Sequence, residues 1–77
     1  MSPRLPVISG RKAVEVFRSI GYTVVRQRGS HIRLRDENQP GHLPLTIPDH
    51  KELKPGLLQK LIRDAALSVE KFLSLLK

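Results

Sequence analysis

Seventy-seven residues leave room for one small domain, spanning 1–77, with a modest core drawn from 39% apolar residues. The absence of cysteine excludes disulfides and thiolate metal sites, and no apolar stretch nears the roughly 20 residues that cross a bilayer. A formal net charge of +7 points to a polyanionic partner, with nucleic acid ahead of a membrane surface.

The segment MSPRLPVISG lacks the apolar run of a secretory signal, so a cytoplasmic location is expected. The first predicted element is a helix that opens at Ser9, a good N-cap, and closes at Gly21. Within it Ala13, Val16, Phe17 and Ile20 recur at helical spacing, with Arg11, Lys12, Glu15 and Arg18 off that stripe. YTVVRQR follows as a β-branched strand whose adjacent Val24 and Val25 leave its inward face undecided. Gly29 and Ser30 make a turn, and SHIRLR returns as the second arm of a hairpin. Along an extended chain Ile32 and Leu34 face one side, while His31, Arg33 and Arg35 face the other.

DENQPGH is a polar loop with a Pro-Gly pair. LPLTIP reads as a third strand, with Leu43, Leu45 and Ile47 on one face and Pro44 marking a sheet edge. Beyond the connector DHKELK, Pro55 suits the first position of a second helix striped by Leu58, Leu61, Ile62 and Ala65. Ser68 caps a short final helix with Val69, Phe72, Leu73 and Leu76 on one side. The expected fold class is α+β, ordered α-β-β-β-α with a short C-terminal helix. A three-stranded antiparallel sheet packs against helices on one face and leaves its other face wet.

His31 lies on the wet face, in the more basic half of the chain. Residues 1–36 hold eight Lys and Arg against Glu15 and Asp36, whereas residues 37–77 hold six against five acids. As a metal ligand His31 has poor company. His42 and His50 follow eleven and eight residues apart on different predicted elements, and no metal is expected. As an ordinary exposed residue it needs no partner at all. A third reading draws on its neighbours: Gly29 has no side chain to hold a phosphate away, and Ser30 offers a hydroxyl. Arg26, Arg28, Arg33 and Arg35 then form a phosphate clamp. On the blander reading those arginines are a solvated strand face.

Three segments, SGRKAVEVFRSIGY, RQRGSHIRLR and LTIPDHKELKPGLLQKLIRDAALSVEKFL, together resemble the HicA toxin family. The resemblance runs from Ser9 to about Leu73, and its specific parts are Gly-Ser-His and the run PDHKELKPGLL. It implies a double-stranded-RNA-binding-domain-like fold and a messenger-RNA interferase toxin of a type II toxin–antitoxin system. It also implies a HicB-type antitoxin partner and a catalytic role for the histidine of Gly-Ser-His, here His31, with Gly29 and Ser30 shaping the site. One departure stands out. The second helix of the family commonly ends in Ala-Gly-Leu, but here it ends in Ala65-Ala66-Leu67. A left-handed alanine costs on the order of 1 kcal/mol relative to glycine.

Double-stranded-RNA-binding domains read A-form shape through 2′-hydroxyl and phosphate contacts. A neutral imidazole can take a 2′-hydroxyl proton while guanidinium groups hold the phosphate, and a free imidazole is largely neutral at physiological pH. The expected activity is therefore cleavage of mRNA without cofactor or metal, with His31 as the acid–base residue. Arg26, Arg28, Arg33 and Arg35 bind RNA on this reading, joined by Lys51 and Lys54. Two other readings use the same surface: a non-catalytic RNA-binding module of this fold, or a basic subunit that binds only an acidic protein partner.

Overall fold

A computed structural model describes residues 4–76. Helix α1 (Gly10–Ser19) begins where the sequence supplies a cap, with Ser9 Oγ accepting the Lys12 N–H at 3.0 Å. It ends at Gly21, whose φ of +116° turns the chain out of the helix. There Gly21 N–H donates to the Arg18 carbonyl and Tyr22 N–H to that of Phe17, the bond pair of a Schellman motif.

Strands β1 (Thr23–Arg28), β2 (His31–Arg35) and β3 (Leu45–Pro48) form an antiparallel sheet in that order. The β1–β2 turn pairs Arg28 with His31, and of its two central residues only Gly29 has a positive φ, +56°. That is the type II′ pattern, which favours glycine first. Ile32 and Leu34 on β2 pair with Ile47 and Leu45 on β3, and all four are buried under the helices.

Strand β1 settles the question of Val24 and Val25 in an unexpected way. Its pairing steps from Val24↔Leu34 to Arg26↔Arg33, so Val25 is the extra residue of a bulge. Every β1 residue is exposed, and among the described residues the buried cluster takes none from β1. β1 is an edge strand that the helices do not cover.

Leu43 departs from expectation. β3 starts at Leu45, after Pro44, and Leu43 is 52% exposed. Its backbone is claimed elsewhere: its N–H donates to the Asp64 carbonyl at 2.9 Å, and its carbonyl accepts the Tyr22 hydroxyl at 2.7 Å. Ile20, Val69, Leu73 and Leu76 sit at the margins of their stripes and are only half-buried.

Helix α2 (Pro55–Asp64) starts on its proline and buries Leu58, Leu61 and Ile62, with Ala65 following at its C-cap. Ala66 then adopts φ +57°, and Leu67 N–H donates back to the Ile62 carbonyl at 3.0 Å. Helix α3 (Val69–Leu75) is capped by Ser68 and drives Phe72 into the core against Phe17, with ring centroids 5.5 Å apart. Burial of each such side chain stabilises the fold by roughly 1.5–3 kcal/mol. The resulting α-β-β-β-α order, with helices on one face of the sheet, is the arrangement of a double-stranded-RNA-binding domain, and it leaves the opposite sheet face bare.

Candidate active site on the open sheet face

Two cross-strand rows build the bare face. One runs Arg28, His31, Pro48, and the next runs Arg26, Arg33, Thr46. Alternation sends Ile32, Leu34, Leu45 and Ile47 inward, so the side chains of these rows leave on the other side. Arg26, Arg28, His31, Arg33 and Thr46 line a shallow hollow of about 160 Å³. Arg33 Nη1 donates to Thr46 Oγ1 at 3.3 Å, which ties one guanidinium to the neighbouring strand.

The electrostatics of this hollow are one-sided. Arg26 stands opposite Arg33, and Arg28 stands opposite His31. The guanidinium groups of Arg26 and Arg33, directly across the ladder, repel each other. Among the described residues no ion pair reaches Arg26, Arg28 or Arg33. An anion seated among them removes that repulsion and gains charge-assisted hydrogen bonds.

The Gly29–Ser30 turn borders the hollow and is open above. A Cβ added at Gly29 would meet nothing within 4 Å, and Ser30 is exposed. Gln27 Nε2 donates to the Gly29 carbonyl at 3.2 Å, and Asp49 N–H donates to the Ser30 carbonyl at 2.6 Å.

The structure brings Arg26, Arg28 and Arg33 to His31 but places the other predicted cations elsewhere. Arg35 shares the face but lines a separate hollow of about 280 Å³ with Asp36 and Glu37. Lys54 lines a third hollow beside His50 and Glu52, and Lys51 is exposed on the same connector. Thr46 is the site residue that sequence reasoning missed. Its signal was the alternation of LTIP, which turns Thr46 outward once Leu45 and Ile47 turn in.

The remaining histidines lie apart from this site. His42 Nδ1 sits 2.9 Å from the buried Asp36 Oδ2, and the ring stacks on Tyr22 at 5.1 Å. His50 holds the start of α1, its carbonyl accepting the Gly10 N–H at 2.9 Å. Among the described residues no group of three His, Asp or Glu side chains is placed to hold a metal ion, and no helix is long and apolar enough to cross a membrane. A larger hollow, about 390 Å³, lies between α1 and β1 on the helix side. It is lined by Arg11, Val14, Glu15, Arg18, Val24, Gln27 and Ile32 and contains no histidine.

Fold and site together define a small basic α+β domain that presents one histidine among arginines on an open sheet face. The model of a family described as HicA toxin of bacterial toxin–antitoxin matches residues 10–67, and the chain belongs to that HicA toxin family. The match runs from the start of α1 to Leu67, spanning the hollow and stopping short of α3. Comparison with curated proteins and with solved structures finds no match.

Proposed function

We propose that this toxin is an endoribonuclease that cleaves messenger RNA, with His31 as the acid–base residue and no cofactor. The observation that carries this reading is the facing pair Arg26 and Arg33, with Arg28 opposite His31 and no carboxylate in the hollow they line. A phosphodiester supplies the missing negative charge, and the one titratable base in the hollow is an exposed imidazole.

The chemistry follows from that placement. Neutral His31 accepts the proton of a ribose 2′-hydroxyl, and the 2′ oxygen attacks the adjacent phosphorus. The bond to the 5′ oxygen of the next nucleotide breaks, that oxygen takes up a proton, and a 2′,3′-cyclic phosphate is left. Arg26, Arg28 and Arg33 hold the phosphate and the charge that builds on it. Gly29 and Ser30 leave room for the backbone of the RNA. Arg35, Lys51 and Lys54 extend the basic surface beyond the hollow. Family membership supports an antitoxin partner, which we take to be of the HicB type and to cover this face with an acidic surface.

The test is RNA cleavage by the purified chain and its His31→Ala variant. The variant should stay folded and bind RNA, but cut roughly 10²- to 10⁴-fold more slowly. Chelator should leave the wild-type rate unchanged. A variant that cuts at the wild-type rate defeats the assignment, and binding without cleavage by either protein favours a non-catalytic RNA-binding module.

A further inference from the structure

The turn that presents His31 is anchored from the helix side of the sheet. Pairing of β2 with β3 runs out at His31↔Pro48, and Pro48 has no N–H to continue a ladder. One further bond extends it, from Asp49 N–H to the Ser30 carbonyl at 2.6 Å. The Asp49 side chain reaches α1, where Arg11 grips both of its oxygens. Arg11 Nε lies 3.1 Å from Oδ1 and Nη2 lies 3.0 Å from Oδ2.

The first turn of α1 presses on the same segment through its backbone. Gly10 N–H donates to the His50 carbonyl, and a side chain at Gly10 would collide with the Pro48 carbonyl. Within this contact, the Arg11 fork fixes the one residue whose N–H reaches the Ser30 carbonyl. A bidentate guanidinium–carboxylate pair fixes orientation as well as distance. The Arg11 side chain is 75% exposed, so the pair adds little to global stability, and its effect on the site is separable from folding.

We infer that Arg11 and Asp49 are a positioning pair for the Ser30–His31 turn, an inference that rests on the catalytic role proposed for His31. They touch no reacting atom. Arg11 orients Asp49, Asp49 holds Ser30, and Ser30 places the imidazole at the edge of the arginine hollow. Small misplacements of a catalytic group are costly, so the pair matters to rate far more than to melting temperature.

The test uses the full chain with Arg11→Ala, Arg11→Lys and the charge-swapped double variant Arg11→Asp with Asp49→Arg. Arg11→Ala should lower kcat roughly 10- to 100-fold, with KM nearly unchanged and the thermal midpoint little moved. Arg11→Lys, which keeps the charge but loses the fork, should fall between, and the swap should recover part of the loss. Amide hydrogen exchange gives a readout independent of cleavage. In Arg11→Ala the Asp49 N–H should lose protection, because its bond to Ser30 opens more often. Wild-type kcat with intact Asp49 protection overturns the inference, as does a rise in KM with kcat intact, which makes Arg11 a plain RNA contact. If the wild-type chain cuts no RNA, the proposed activity fails, and Asp49 protection alone then decides whether Arg11 controls the turn.

Discussion

Arg33 Nη1 donates to Thr46 Oγ1 across the β2–β3 pairing, and both side chains line the hollow that contains His31. Arg35, two residues along the same face, instead shares its hollow with Asp36 and Glu37. The two arginines should therefore differ as phosphate ligands. RNA binding should weaken steeply with salt, with a log–log slope near −0.7 per phosphate neutralised on a single strand. Arg33→Ala should reduce that slope by about one such increment and weaken all sequences alike, since phosphate contacts carry no base information. Arg35→Ala should change the slope less, because Asp36 and Glu37 line its hollow and make it a poorer seat for a phosphate. Anisotropy titrations across a salt series decide this, and identical slopes for the two variants would show that the hollow around His31 is not where phosphate sits.

Ala66 occupies a conformation that the L side chain resists. Its φ is +57°, and the Schellman bonds Ala66 N–H to Arg63 O and Leu67 N–H to Ile62 O hold it there. The left-handed region costs an alanine about 1 kcal/mol, and glycine escapes most of that cost while losing some chain entropy. Ala66→Gly should stabilise the fold by about 0.5–1 kcal/mol, seen as a higher midpoint in denaturant with the same slope. An unchanged or lower midpoint would mean that the strain is relieved by contacts around Leu67.

What could be read from the sequence divides along local and non-local lines. Ser9, Pro55 and Ser68 mark helix starts because a cap or an N1 proline acts on its own next few residues. HIRLR announces the facing of His31 and Arg33 by alternation alone. The bulge at Val25 was not legible, since two adjacent valines suit either face and only the bare edge position of β1 lets both be exposed. Leu43 continued the alternation of Leu45 and Ile47 in the sequence, yet it lies before β3 and is 52% exposed. Its backbone is taken by Asp64 and by the hydroxyl of Tyr22, 21 residues away. Thr46 joined the site through the β2–β3 register, which a single strand does not encode.

Tyr22 gives the protein an alkaline limit. Its hydroxyl is pushed up from 10 to about 12, by burial first and then by the nearby negative charges of Asp36 and Asp64. The folded state thus favours the neutral phenol, while the unfolded chain ionises near the ordinary value of about 10. The stability from this group is fully present below about pH 10 and is lost as the pH rises through the folded value. Thermal midpoints of wild type and Tyr22→Phe should run parallel to about pH 10, then converge and cross between about 10 and 12, since a rise from 10 to about 12 outweighs a difference of about 1 kcal/mol. At neutral pH the phenylalanine variant should be weaker by about 1 kcal/mol, because the Leu43 carbonyl loses its donor. Midpoints that stay parallel to about pH 12 would assign the alkaline limit to other groups.

Two glycines near His31 serve different ends. At Gly10 a Cβ would lie 1.9 Å from the Pro48 carbonyl oxygen, which is backbone and has no room to yield. Gly10→Ala should push α1 off the connector and cost roughly 1–3 kcal/mol or more, as overpacking does. Gly29 has open space around it, and its only demand is a φ of +56°. Gly29→Ala should cost about 1 kcal/mol through the backbone alone, and Gly29→Asn less, since asparagine tolerates a positive φ better than other side chains. The asparagine variant therefore separates conformation from access. It restores the turn while filling the space through which an RNA backbone approaches His31. Its thermal midpoint should stay near wild type while RNA cleavage slows markedly. Cleavage at the wild-type rate would show that Gly29 supplies only a turn, and that the substrate reaches His31 from the Thr46 side.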